Sequence, residues 1–435
     1  MKLAQLSLAG ILVAGLVTNS YGADTLADAF KNGKTKGELR AWYFDRKVED
    51  APAKSADIIN TAVILNYVTD KFYGFSLGGT FQSNFAPGAD TTAKNVFKSD
   101  MYGSGAVLSE GYLGYDIGKT AAKAGRQFIS TPLVNGSGSR IVKESFEGAT
   151  ITNKDLPGTT ITGGYIDKFQ GRTGYAMGDA VGDAPSFDDR SIFLGISGST
   201  TYEFDGAYTI AAINKSIPNL TLTGQYLNVG DVTVGTKKSD INVYFAEGKY
   251  ILPMNGYKLG LDVNHRGSKT DSPLHATTKY DGTYSAGKIY ISELEGFGAS
   301  MTAATTSSDD AVIAGMGNGP SSYTATMIRA STPTLTANTD SYRFDVTYDF
   351  SKIGLTGLKG ALQHGWTNQD RVGSAATSSD YSSYAGSLEY DVPALKGLTL
   401  SAQYETQECE TTTYAGNTKT SVDTDEFRFR ANYKF

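Results

Sequence analysis

From Phe427 to the last residue the chain alternates without a break. Phe427, Phe429, Ala431, Tyr433 and Phe435 hold one parity, and Arg428, Arg430, Asn432 and Lys434 hold the other. A two-residue period sends successive side chains to opposite faces of a strand, so one face is apolar and aromatic and the other polar and cationic. The pattern recurs in Tyr342, Phe344, Val346, Tyr348 and Phe350 against Arg343, Asp345, Thr347 and Asp349. It also recurs in Leu398, Leu400, Ala402 and Tyr404 against Thr399, Ser401, Gln403 and Glu405, and in Tyr257, Leu259, Leu261 and Val263 against Lys258, Asp262, Asn264 and Arg266.

Short turns rich in Gly and Pro punctuate these runs, and each is followed at once by a new alternating segment. They fall near Asp70, Gly118, Pro157, Pro218, Asn255, Glu295, Gly354 and Leu395. Longer stretches of Gly, Ser, Thr and Asp lie between them, such as 84–104, 168–188 and 306–339. Eight short turns alternating with nine long loops require eighteen strands, and this asymmetry marks outer-membrane barrels. Ile192 to Ile196 reads as an extra strand and would make the count odd, so it is assigned to an ordered loop or to an elongated eighth strand.

Composition decides what surrounds those strands. Of 435 residues 19% are charged, below the roughly 25% usual for soluble domains. Mean hydropathy is -0.26, and no apolar run after the N-terminus is long enough for a helical span. A lipid-facing sheet must satisfy its backbone internally and therefore closes on itself. Tyr and Phe near strand ends then suit a belt at headgroup level, where Tyr hydroxyls stay wet, which accounts for 27 Tyr beside only two Trp, Trp42 and Trp366. A secreted β-sandwich also alternates, but its apolar face would point into a packed core. The fold expected is all-β, a single transmembrane antiparallel barrel of about 18 strands with short periplasmic turns and long external loops. About eight strands leave an interior that side chains fill, whereas about 16 to 18 leave an aqueous channel.

At the start, Lys2 precedes an apolar stretch from Leu3 to Val17 and small residues around Ser20 and Gly22. Residues 1–22 therefore read as a cleaved secretory signal and 23–435 as the barrel. The expected location is the outer membrane of a Gram-negative bacterium, reached through the periplasm. Outer-membrane lipid, lipopolysaccharide and the barrel assembly machinery, which reads the terminal aromatic strand, are the expected partners. A net charge of -6 with no basic block argues against nucleic acid. One cysteine, Cys409, assigned to the last external loop, gives no disulfide.

The segment Thr25-Leu26-Ala27-Asp28-Ala29-Phe30-Lys31-Asn32-Gly33, with Gly37 to Arg46, resembles the opening of the OprD-type outer-membrane porins. So do Ala124 to Leu133, Ser139-Arg140 and Phe146-Glu147-Gly148. The resemblance implies a passive diffusion channel for small hydrophilic solutes, typically small carboxylates, amino acids or peptides. It implies that the third external loop folds into the lumen and that basic residues guide the solute. Carried over here, the constriction loop is 128–143, with Arg140 at its far end and Arg126 on the strand before it. Lys143, Glu144 and Glu147 follow, the carboxylates facing the arginines.

By parity Arg343, Arg428 and Arg430 face inward, and Arg40 joins the last two in a vertical strip once the barrel closes. Each arginine could equally be an inward ion pair that stiffens the wall. Asp345, Asp349, Glu389, Asp391 and Glu405 also point inward, which opposes a purely basic lumen. The rival readings are a nonspecific diffusion porin and a barrel anchor or adhesin acting through its loops. Both a monomer and a homotrimer are compatible with the pattern. No cofactor, catalytic residue or metal ligand is expected: His265, His275 and His364 lack metal spacing. The acidic groups at 179–183, 188–189 and 309–310 lack a calcium-loop pattern and read as solvated turns.

Overall fold

The computed structural model describes residues 22–196, 201–274, 280–328 and 334–435. The expected leader, apart from Gly22, and His275 lie outside them. Eighteen antiparallel strands close into one barrel. The last strand, Thr418–Lys434, pairs with the first, Lys34–Val48, from Glu38↔Lys434 to Val48↔Thr424. Phe193–Leu194 pairs with Gly315–Met316 inside the loops and not in the wall, so the count stays even. The eighth wall strand is Ala207–Asn214.

The alternation positions every strand. Outward residues such as Leu261, Leu362 and Phe429 stay exposed, while Arg266, Glu405 and Arg428 on the opposite parity are buried inside. An apolar belt of this extent exceeds what soluble monomers expose and suits hydrocarbon. Trp366 stays in that belt, stacked on Tyr342 and His364. Trp42 does not: it lies on the inward parity with Phe44 and is 5% exposed.

All eight expected turns occur at the end that holds Phe435. The connections at the other end are unequal. Loops 171–206 and 307–338 are long, but Val234 and Lys237 are joined by two residues and Thr413 and Thr418 by four. Cys409 falls within the strand Leu398–Thr413, opposite Val422, and not in a loop.

The interior is not wet all round. The inward faces of the strands from Ser145 to Pro253 carry Phe146, Ile166, Leu227, Val229, Ile241, Val243 and Phe245. Leu133 and Val134 from loop 128–144, Ile192 and Phe193 from loop 171–206, and Ile313 and Met316 from loop 307–338 pack onto them. Apolar area removed from water contributes roughly 25 cal/mol per Å², which favours the inward position of all three loops. The resemblance implied one inward loop; three share the lumen. Val134 bridges Met316, which joins the Phe193–Leu194 pairing into a small internal sheet. Gly315 makes that approach possible: a Cβ there would lie 2.3 Å from the Leu133 carbonyl oxygen, at a φ of +141°.

Candidate pore constriction

The seam between first and last strands builds the basic strip. Trp42 is the register partner of Arg430 and Phe44 that of Arg428. The Arg430 guanidinium carbon lies 4.8 Å from the Trp42 ring and 5.2 Å from Phe44; Arg428 lies 4.7 Å from Phe44. Arg40 covers Trp42 at 5.2 Å, and Arg140 from loop 128–144 approaches Phe44 at 5.8 Å. Asp90 caps the short helix Thr91–Phe97, which carries Phe97 inward to lie under Arg46 at 5.0 Å. Such contacts are worth about 0.5–1 kcal/mol when exposed and about 2 when desolvated, so the rings hold like charges in a row.

Carboxylates account for four of these five guanidiniums. Glu426 takes Arg46 at 2.9 Å and Arg428 at 2.6 Å, Asp100 takes Arg140 at 3.1 Å, and Glu38 takes Arg40 at 2.9 Å. Arg40 also donates to the Ile141 carbonyl at 2.8 Å, which ties the loop to the wall. Arg430 differs. Its Nη1 donates to Gln403 at 2.6 Å, its Nε has no partner, and no ion pair involves it among the described residues. Trp42 Nε1 donates to Asn432 at 2.8 Å and so fixes the indole beneath it.

The other expected residues separate into three situations. Arg343 faces inward, paired with Asp345 at 3.0 Å and donating to Ala325 O at 2.5 Å, so it anchors loop 307–338. The Lys143 peptide is clamped by the Gln82 amide, and its ammonium sits 4.2 Å from the Phe128 ring. Burial pushes the Lys143 pKa down, Glu110 opposes that shift and Arg40 adds to it.

Glu144 is not a free lumen carboxylate. Fully buried, it accepts from Ser137 N and Asn318 N at 2.9 Å each and from Asn318 Nδ2 at 2.5 Å, and it pairs with Arg172 at 3.0 Å. One side chain thereby joins all three inward loops. Burial lowers the Arg172 pKa most, and Glu144 resists that shift.

Arg126 and Glu147 leave the lumen altogether. Gln127 is buried on the inward parity, so Arg126 turns outward with its register partners Gly111 and Glu147. The two pair at 2.9 Å, with Phe187 4.4 Å from the guanidinium.

Sequence reasoning missed Arg46, Asp100 and Glu426, and it gave Trp42 and Phe44 no place in the lumen. A signal was present: Arg40, Trp42, Phe44 and Arg46 share one parity on the first strand. Among the described residues no cluster has the make-up of a metal site, and His265 and His364 instead bond to Ser285 Oγ and Ser383 O.

A closed eighteen-strand wall with an apolar outside and inward loops is the architecture of the outer-membrane porins, which are channels. The chain belongs to the OprD family of outer membrane porins, whose family model matches residues 110–435. Its setting is the outer membrane of Gram-negative bacteria. The fold is similar to that of Acinetobacter baumannii OccAB2, with a TM-score of 0.75, 17% identity, and coverage of 94% of this chain and 99% of that one. Pseudomonas aeruginosa OccK3 (OpdO) gives 0.72 at 18% identity, covering 94% and 97%. Pseudomonas aeruginosa OpdK with vanillate gives 0.71 at 16% identity, covering 93% and 99%. Compared with curated protein sequences, the chain finds no match.

Proposed function

We propose that this porin is a solute-preferring passive channel for small carboxylates, amino acids or peptides, which pass along the Arg40–Arg430–Arg428 strip. One observation carries the reading: Arg430 lies over two rings and lacks a carboxylate partner among the described residues. A carboxylate entering a narrow pore sheds water, and a guanidinium returns charge-assisted hydrogen bonds. Arg40, Arg428 and Arg140 add positive potential while their own carboxylates limit it, so the solute is attracted and then released. Arg343 acts mainly by positioning its loop, whereas Lys143 anchors its loop through its peptide and adds its ammonium to the positive potential. Vanillate, named with OpdK, is itself a carboxylate.

Single-channel recording in planar bilayers tests this. A small conductance interrupted by short carboxylates, with interruptions that shorten in Arg430→Gln, is the expected result. A large ohmic pore indifferent to carboxylates would establish a nonspecific porin, and absence of conductance a barrel anchor.

A further inference from the structure

A second group of unsatisfied polar atoms lies on the strand Lys258–Thr270, seven strands from the last one. Arg266 is 3% exposed; its Nε and Nη1 have no partner, and its Nη2 reaches only the Ser321 carbonyl at 3.5 Å. On the same inward parity, Asn264 Oδ1 and Asp262 Oδ1 are buried acceptors without donors, and Thr302 Oγ1 is likewise alone. Buried polar atoms are normally paired, so four neighbouring residues with orphan atoms call for a ligand that supplies both donors and acceptors.

Register makes these one place. Arg266 lies opposite Tyr284, Asn264 opposite Ala286, and Asp262 opposite Lys288, which in turn faces Thr302. Ala286 and its partner Ala304 are the small residues between the two polar rows. Tyr323 of loop 307–338 packs over them, its amide donating to Tyr284 Oη at 2.9 Å and its hydroxyl to Glu247.

We propose that Asp262, Asn264 and Arg266 form a second solute station, covered by Tyr323, which takes a zwitterion of one or two residues. The proposal rests on the reading of the chain as a solute channel. Lys249 and Lys288 flank Asp262 in register but turn to Glu247 and to the Tyr290 ring. A simple anion on Arg266 would therefore leave the Asp262 and Asn264 oxygens without a donor, and a simple cation would leave Arg266 unpaired. A zwitterion places its carboxylate on Arg266 and its ammonium on the Asn264 and Asp262 oxygens. Alternate strand residues are about 6.6 Å apart, and a dipeptide spans about 7 Å.

The test is block of single-channel current by glycylglycine, with acetate and ethylammonium as singly charged controls. Arg266→Gln and Asp262→Asn should each shorten glycylglycine dwell times at least tenfold. Dwell times equal to wild type in both variants, no glycylglycine block of the wild type, or acetate block as long as that of glycylglycine would overturn the station. Asp262→Asn, nearly isosteric, decides the matter if Arg266→Gln fails to fold. Arg430→Gln, run alongside, separates the two readings: if it alone is without effect, the strip fails and the station stands.

Discussion

Arg430 and Trp42 meet across the seam where the barrel closes, register partners whose guanidinium and indole lie 4.8 Å apart. The contact holds the charge in place without neutralising it, which an ion pair could not do, and on the proposed function that charge faces the solute. Arg430→Gln should shift the reversal potential in a salt gradient toward cation preference. Trp42→Ala should shift it the same way by a smaller amount, because the charge remains but loses its seat. Unchanged reversal potentials in both variants would remove the seam from the conduction path.

Glu144 holds three loops at once. Removing one partner of a buried pair typically costs about 3–5 kcal/mol, because the other charge is left uncompensated. Here the stranded group would be Arg172, in loop 171–206. Glu144→Ala should leave the barrel folded yet produce noisy, multi-level current and faster protease cleavage in that loop. Quiet single-level traces would show that the internal sheet of Phe193–Leu194 and Gly315–Met316 suffices alone.

Arg126 and Glu147 supply the control. Exposed pairs are worth about 0–1 kcal/mol. Arg126→Gln should therefore leave conductance, selectivity and thermal unfolding of the barrel nearly unchanged. An altered reversal potential would place Arg126 in the lumen after all.

Lys143 gives a pH dependence. Burial favours its neutral form, so its pKa lies below the ordinary lysine value and its charge is lost first as pH rises. Anion preference should begin to fall at a pH below the ordinary lysine range, and Lys143→Gln should abolish that step. Recording reversal potentials across alkaline pH, in wild type and variant, checks both the sign and the residue.

How much of this was legible beforehand follows from what periodicity encodes. Strand parity and turn position are local, so the eighteen-strand wall, all eight turns and the inward Arg343, Arg428 and Arg430 could be read from residues alone. Two kinds of statement could not. Trp42 and Phe44 face inward with Arg40 and Arg46, and the contacts they make with Arg430 and Arg428 depend on the register of the first strand against the last, which is not a local property. Loop packing is long-range: Glu144 meets Asn318 across 174 positions of chain, and no local pattern records that pairing. Arg126 failed for a third reason. The strand Thr120–Gln127 is short and rich in alanine, so it displays no clear apolar face from which to set its parity.

The central claim is that water lies on the arginine side of the last strand. Single cysteines at Arg430→Cys and Phe429→Cys, in a Cys409→Ser background, exposed to a charged water-soluble thiol reagent during current recording, test it directly. Stepwise loss of current for Arg430→Cys and none for Phe429→Cys is predicted. Modification and block at Phe429→Cys with Arg430→Cys inert would contradict it.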